Sequence, residues 1–177
     1  MLYADDLGLR KVGNGLGLSS FSTVSLIQVL AEEGALGAHE RDKLLVSLAE
    51  RHYVSIELSP EMLIEALAPG RPLQATRDVF SLLAAPTLDV HTSARTLVRA
   101  VKNVALQDIK TTTAGRVVRE GLEAMAVSFQ RQAVAQAVAR AANADLALLP
   151  RELQSVKGAC AELLRSQTPG GSRDRNV

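Results

Sequence analysis

Aromatic residues are scarce in this sequence: two Tyr, three Phe and no Trp make up 3% of 177 residues. A stacking platform for single-stranded nucleic acid needs several aromatic faces, so that class is disfavoured. The core has to be built from Leu, Val and Ala, which favours helix packing over a β-sandwich. There is one cysteine, so no intramolecular disulfide forms. Cys160 falls in the helically spaced series Leu153, Val156, Cys160, Leu163 and reads as a buried structural thiol rather than a nucleophile. No apolar run approaches the roughly 18 residues that span a bilayer. The first residues carry Asp5 and Asp6 where a signal peptide would have a basic start and an apolar run. The expectation is a soluble, cytoplasmic protein with no membrane partner.

What is present is an ordinary globular mixture, 47% hydrophobic and 22% charged, enough chain for one domain or two small ones. The net charge of +1 is unevenly spread. Residues 1–68 hold five basic and ten acidic residues, net −5; residues 69–177 hold fifteen and nine, net +6. Such a split marks two segments with different surfaces, which attract each other, meet an acidic partner, or simply present solvated helix faces.

Along the chain, Leu2-Tyr3-Ala4 reads as a short strand. "DDLGLRKVGNGLG" reads as a helical turn followed by a flexible link, and "LSSFSTV" as β-leaning. A helix carrying Leu26, Ile27 and Leu30 then runs to Gly34. Residues 39–51 form a clearer helix, with Leu44, Leu45 and Leu48 inward and "HERDK" outward. "YVSIEL" alternates like a strand or extended link. Ser59, Pro60 and Glu61 supply an N-cap, a first-position proline and a first-turn acid, and "APG" at 68–70 stops that helix. From 71 onward the pattern is helical throughout. The apolar stripes are Leu73, Thr76, Phe80 and Leu83; then Ala94, Leu97, Val98, Val101, Val104 and Ala105, capped by Thr92 or Ser93; then Val118, Leu122, Met125 and Phe129; then Val134, Ala137, Val138 and Ala141. Pro150 opens the helix that carries Cys160. Four or five one-sided helices on short links make a bundle or a stack of helical hairpins. The last residues, "SQTPGGSRDRNV", read as a disordered tail. The fold class expected is mostly α. A small α/β piece occupies 1–68, a helical domain 69–166, and the loose tail 167–177.

Asp5 and Asp6 are the strongest chemical signal. Carboxylates at the C-terminal end of a parallel strand lie where open α/β sheets bind ligands, and a hard divalent cation takes oxygen ligands. Adjacent strand residues point to opposite faces, so both acids reach one opening only if the chain turns there, as Gly8 allows. Metal-activated phosphodiester cleavage draws on about three or four carboxylates. The neighbouring acids, Glu32 and Glu33, lie beyond a helix. Read by spacing alone, the pair equally serves a helix N-terminus, complementing its dipole.

Several stretches together resemble one family. "LYADDLGLRKV" is similar to the late segment of a PIN domain, where a strand delivers acidic residues and an Arg-bearing helix follows. "SSFSTVSLIQVLAEEGAL" resembles the final strand and its T-x-x-L-(I/L) helix. "HERDKLLVSLAERHYVSIEL" followed by "SPEML" resembles the last helix pair and the closing segment. The resemblance covers about residues 1–65, the closing third to half of such a domain. PIN domains are Rossmann-like, metal-dependent ribonucleases, common as toxins in bacterial toxin–antitoxin pairs. The resemblance implies that Asp5 and Asp6 are late members of an acidic set binding Mg²⁺ or Mn²⁺, with Thr23 or Ser22 beside it. The family's first strand with its leading Asp, and its mid-domain acids, have no counterpart. The expectation is therefore a truncated PIN-domain relative with little or no activity as this chain alone. The alternative is a non-enzymatic helical module that binds another protein. Two lone strands leave an open edge that invites self-association.

Other patterns carry less. "GNGLG" lacks the Lys-Ser/Thr of a phosphate loop. His39, His52 and His91 share no ligand spacing, and Ser19, Ser20 and Ser22 form no nucleophile elbow. Arg95, Arg99 and Lys102 make a basic stripe opposite the apolar face of one helix, suited to RNA phosphates or a partner, or merely to solvent.

Overall fold

The chain opens with β1 (Leu2–Tyr3) and β2 (Ser20–Phe21), paired in parallel with Leu2 opposite Ser20 and Tyr3 opposite Phe21. The computed structural model describes residues 1–53, 56–107 and 111–166, and every side chain within them but those of Leu7, Thr111 and Thr112. Parallel strands need a crossover. Here it is α1 (Leu7–Gly15), a nine-residue helix where the glycine pattern predicts a turn and a link. Two features outweigh the cost of glycine in a helix. At Gly13 a Cβ would stand 2.6 Å from Leu2 Cδ2, so the bare backbone is what lets α1 lie on β1. At the far end Gly17 adopts φ +75°, and the amides of Gly17 and Leu18 return to the carbonyls of Asn14 and Gly13, closing the helix in a Schellman motif.

Next come α2 (Thr23–Glu32) and α3 (Ala38–Ala49). Ser22 caps α2, accepting from the Ser25 amide at 3.2 Å. Val24 and Ile27 are the buried residues of α2, and Leu26 and Leu30, which the sequence places on the same helix, face outward. α3 is also rotated from its expected phase. Leu45, Val46, Leu48 and Ala49 are buried and Leu44 is exposed, because the face toward α2 and α4 (Pro60–Glu65) is the one offset by a residue. Asp42, expected outward, goes inside with them. "YVSIEL" adds no strand at the described Tyr53 and Ile56–Leu58; Val54 and Ser55 lie outside the described residues. α4 begins as the sequence predicts: Ser59 Oγ accepts from the Met62 amide at 3.2 Å, and Pro60 sits in the first turn. Arg71 ties the end of α3 to α4 by pairing with both Glu50 and Glu65.

The rest is helical: α5 (Leu73–Ser81), a 3₁₀ turn (Leu82–Ala84), α6 (Val90–Leu106), α7 (Thr111–Ser128), α8 (Arg131–Asp145) and α9 (Pro150–Arg165). α6 is the centre. It packs against α4, α7, α8 and α9 and buries Ser93, Ala94, Leu97, Val98, Ala100, Val101 and Val104, more than a single stripe. In α5, Thr76 and Phe80 are buried as expected, whereas Leu73 is exposed at the helix start. The cap of α6 is Asp89 rather than Thr92 or Ser93. Asp89 Oδ1 accepts from the His91 and Thr92 amides, and the Thr92 hydroxyl donates to Oδ2 at 2.7 Å. Ser93 instead turns inward and donates to the Leu83 carbonyl at 2.7 Å. One apolar cluster runs from Val24 to Cys160, across the position near 68 where the charge balance changes. The architecture is mostly α: a two-stranded α/β piece at the N-terminus followed by packed helices. The expected tail, 167–177, lies outside the described residues.

The Asp89 cap carries a pH signature. The Thr92 hydroxyl and the two amides hold its carboxyl down to about 2, against an ordinary 3.8. A carboxyl depressed in the folded state stabilises above the ordinary value and loses that contribution as pH falls toward the folded one. The expected result is that Asp89→Asn, which keeps a capping side chain, flattens the fall of the urea midpoint between about pH 4 and pH 2 relative to the wild type.

Candidate functional site

Just past β1 the Ala4 amide donates to the Phe21 carbonyl at 3.0 Å, and the chain then turns out of the sheet. Asp5 therefore reaches across to the start of α2. Its Oδ1 accepts from the Thr23 amide at 2.7 Å, and its Oδ2 from the Thr23 hydroxyl at 2.8 Å. Tyr3 sits two residues back on the strand, so its ring is on the same side. Its hydroxyl lies 2.8 Å from Asp5 Oδ2 and 2.6 Å from Thr23 Oγ1. These three oxygens share two protons, so two of the three contacts are hydrogen bonds at any moment. Tyr53, just after α3, adds a longer bond of 3.3 Å to the same Oδ2. The Thr23 amide, ahead of the Thr23, Tyr3 and Tyr53 hydroxyls, holds the Asp5 carboxyl below its ordinary value. In return the Asp5 charge raises the Tyr53 phenol.

Asp6 goes elsewhere. Its Oδ1 accepts from the Leu9 amide at 2.7 Å and caps α1. The two aspartates thus stand on either side of a tight turn, one serving α2 and the other α1. An octahedral Mg²⁺ or Mn²⁺ needs several open oxygen lone pairs converging on one point. Asp5 Oδ2 is crowded by three hydroxyls, and Asp6 is committed to its cap. Among the described residues no group of three or more His, Cys, Asp or Glu side chains converges as a metal set. As arranged, the two carboxylates are engaged with two different helices. What the arrangement does is tie β1, the start of α2 and the segment after α3 to one charged acceptor.

Thr23, expected beside the acids, touches Asp5 directly. Ser22 caps α2 instead. Arg95, Arg99 and Lys102 stand together on α6; Arg95 and Arg99 are exposed and Lys102 is half-buried. No hydrogen bond or ion pair among the described residues links them to Asp5. Arg99 lines an open cleft of about 880 Å³ between α2–α3 and the start of α6. Sequence reasoning missed both tyrosines. The i, i+2 spacing of Tyr3 and Asp5 on a strand is a signal that points to the first. Tyr53 lies 48 residues from Asp5 and leaves no local trace. The chain matches no family model, no curated protein and no solved structure.

Proposed function

We propose that this chain is related to the closing part of a PIN domain and acts by binding another protein, not by cleaving RNA. The observation that carries the reading is the engagement of Asp5. A carboxylate that takes an amide and up to three hydroxyls serves as a structural tie, and the same atoms cannot also hold and activate a catalytic metal. The kinship with a PIN domain is supported by the parallel β1–α1–β2 unit, with an acid at the strand end and Thr23 opening the following helix. A binding role is supported by the apolar surface around that unit. Leu9 and Val12 on α1, Leu16 at its C-cap, and Leu26, Val29 and Leu30 on α2 are all exposed, and among the described residues each two-residue strand has an unpaired edge.

The test separates the two uses of the aspartates. Under this reading Mn²⁺ leaves the melting temperature of the wild type unchanged, and no metal-dependent RNA cleavage is detected. Asp5→Ala lowers stability by about 1–2 kcal/mol, part of the charge being screened at a half-exposed site. Asp6→Ala costs about 1 kcal/mol as a lost cap. If Mn²⁺ instead stabilises the wild type, and the double variant abolishes both that shift and a measurable ribonuclease activity, the binding-only reading falls. Sizing over a range of concentrations addresses one occupant of the open edge, a second copy of the chain.

A further inference from the structure

The cleft between α2–α3 and the start of α6 holds a second polar centre, independent of Asp5. Asp42 lies on the inner face of α3 and is only 4% exposed. Among the described residues its partner is its neighbour Arg41, whose Nε at 3.1 Å and Nη2 at 2.8 Å both donate to Oδ1. Both donors fall on one oxygen; among the described residues Oδ2 accepts no hydrogen bond, and it is not a buried atom left without a partner, so it opens onto the cleft. A carboxylate oxygen with free lone pairs on a cleft wall is placed to accept from a cationic ligand. Asp42 lines the cleft, and Leu36, Leu45, Ile56 and Leu58 line it with apolar surface. The remaining charged groups on its walls are Glu32, Glu57 and Arg99; with the Arg41–Asp42 pair, the cleft carries one net negative charge. Its volume of about 880 Å³ falls in the range of small-ligand sites.

We propose that this cleft binds an ammonium group carried on an aliphatic stem. The ammonium donates to Asp42 Oδ2 and the stem lies on the leucines and Ile56. A guanidinium fits less well. Its planar fork wants both carboxylate oxygens, and Arg41 already occupies one, whereas a compact ammonium needs a single free oxygen. The same chemistry comes from a free alkylamine or from the lysine side chain of a partner.

The experiment titrates the isotope-labelled full chain with n-hexylamine, with n-hexanol as the neutral match, and with a blocked peptide containing one lysine. Amide shifts of α3 and the start of α6 are read by NMR. The expected result is saturable binding of hexylamine, with hexanol at least about tenfold weaker and Asp42→Asn weakened at least about tenfold toward the amine, the scale of one charge-assisted hydrogen bond. Peptide binding as tight as that of the free amine assigns the site to a lysine side chain, and weaker binding assigns it to a small amine; both support the proposal. Equal binding of hexanol, unchanged binding by folded Asp42→Asn, or no saturable shift with either amine would overturn it, a water then filling Oδ2. Should Asp42→Asn fail to fold, Ala38→Trp, at an exposed position on the cleft wall, decides. Loss of amine binding with an unchanged circular dichroism spectrum supports the site, and retained binding sinks it.

Discussion

Replacing Phe80 by alanine costs the folded state about 3–5 kcal/mol. Phe80 is 1% exposed, and among the described residues it is the only fully buried aromatic ring; Phe21 and Phe129 are half-buried. It sits on α5, which packs against α7 and the 3₁₀ turn, where Leu83 is also fully buried. The buried cluster it belongs to is otherwise non-aromatic, and among the described residues no second fully buried ring is there to swing into the hole. The cavity term therefore adds to the lost transfer energy instead of being relieved by collapse. Total stabilities of single domains are about 5–15 kcal/mol, so one substitution removes about a fifth or more of it. Urea unfolding measures the effect through the midpoint at constant slope. A loss below about 1 kcal/mol would show that α5 re-seats freely.

The second large effect is one of crowding. At Gly121 an added Cβ would lie 2.3 Å from Leu97 Cδ1 and 2.7 Å from Cδ2, where α7 crosses α6. Leu97 is 1% exposed and cannot swing aside without disturbing the most buried helix. Gly121→Ala gains about 1 kcal/mol of helix propensity, yet overpacking of this kind costs about 1–3 kcal/mol. The expected net is a loss, growing steeply for Gly121→Val. Gly115 lies on the same helix with nothing within 4 Å of its would-be Cβ, so Gly115→Ala has the opposite sign, a gain of up to about 1 kcal/mol. The cause is checked by combining Gly121→Ala with Leu97→Ala. The pair should cost less than the sum of its parts, because the alanine at 121 grows into the space the leucine leaves. Strict additivity would rule out the contact as the cause.

These two residues also show how far the sequence could be read. The stripe of Ala94, Leu97, Val98, Val101, Val104 and Ala105 is unambiguous, because its period matches a helix over three turns; the first five are buried and Ala105 is half-buried. The parallel strand pair and the nearness of Thr23 to Asp5 are expectations of the resemblance read over about residues 1–65, not of any periodicity. What failed did so for definable reasons. Glycine costs helix stability, so "GLRKVGNG" reads as a helical turn and a link; the closure at Gly17 and the approach of Leu2 to Gly13 reverse that, and no local window contains the second. In α3 the sets Leu44, Leu45, Leu48 and Leu45, Val46, Ala49 fit a helical period equally, and the positions of α2 and α4 decide between them. Asp42 reads as solvated in "HERDK", yet Arg41 folds onto it and lets it go inside. The Asp5 bonds to Thr23 and Tyr53 span 18 and 48 residues, beyond any periodicity argument.

The burial of Cys160 has a practical consequence. Packed under α9 at 5% exposure, its thiol is pushed by desolvation up to about 11. Only the thiolate attacks electrophiles, so at neutral pH the one thiol of the native chain is chemically silent. It becomes reactive when α9 lifts from α7 and α8. The protein thus carries its own reporter for loosening at that end of the bundle: the rate of alkylation of a single native residue counts opening events, with no label introduced.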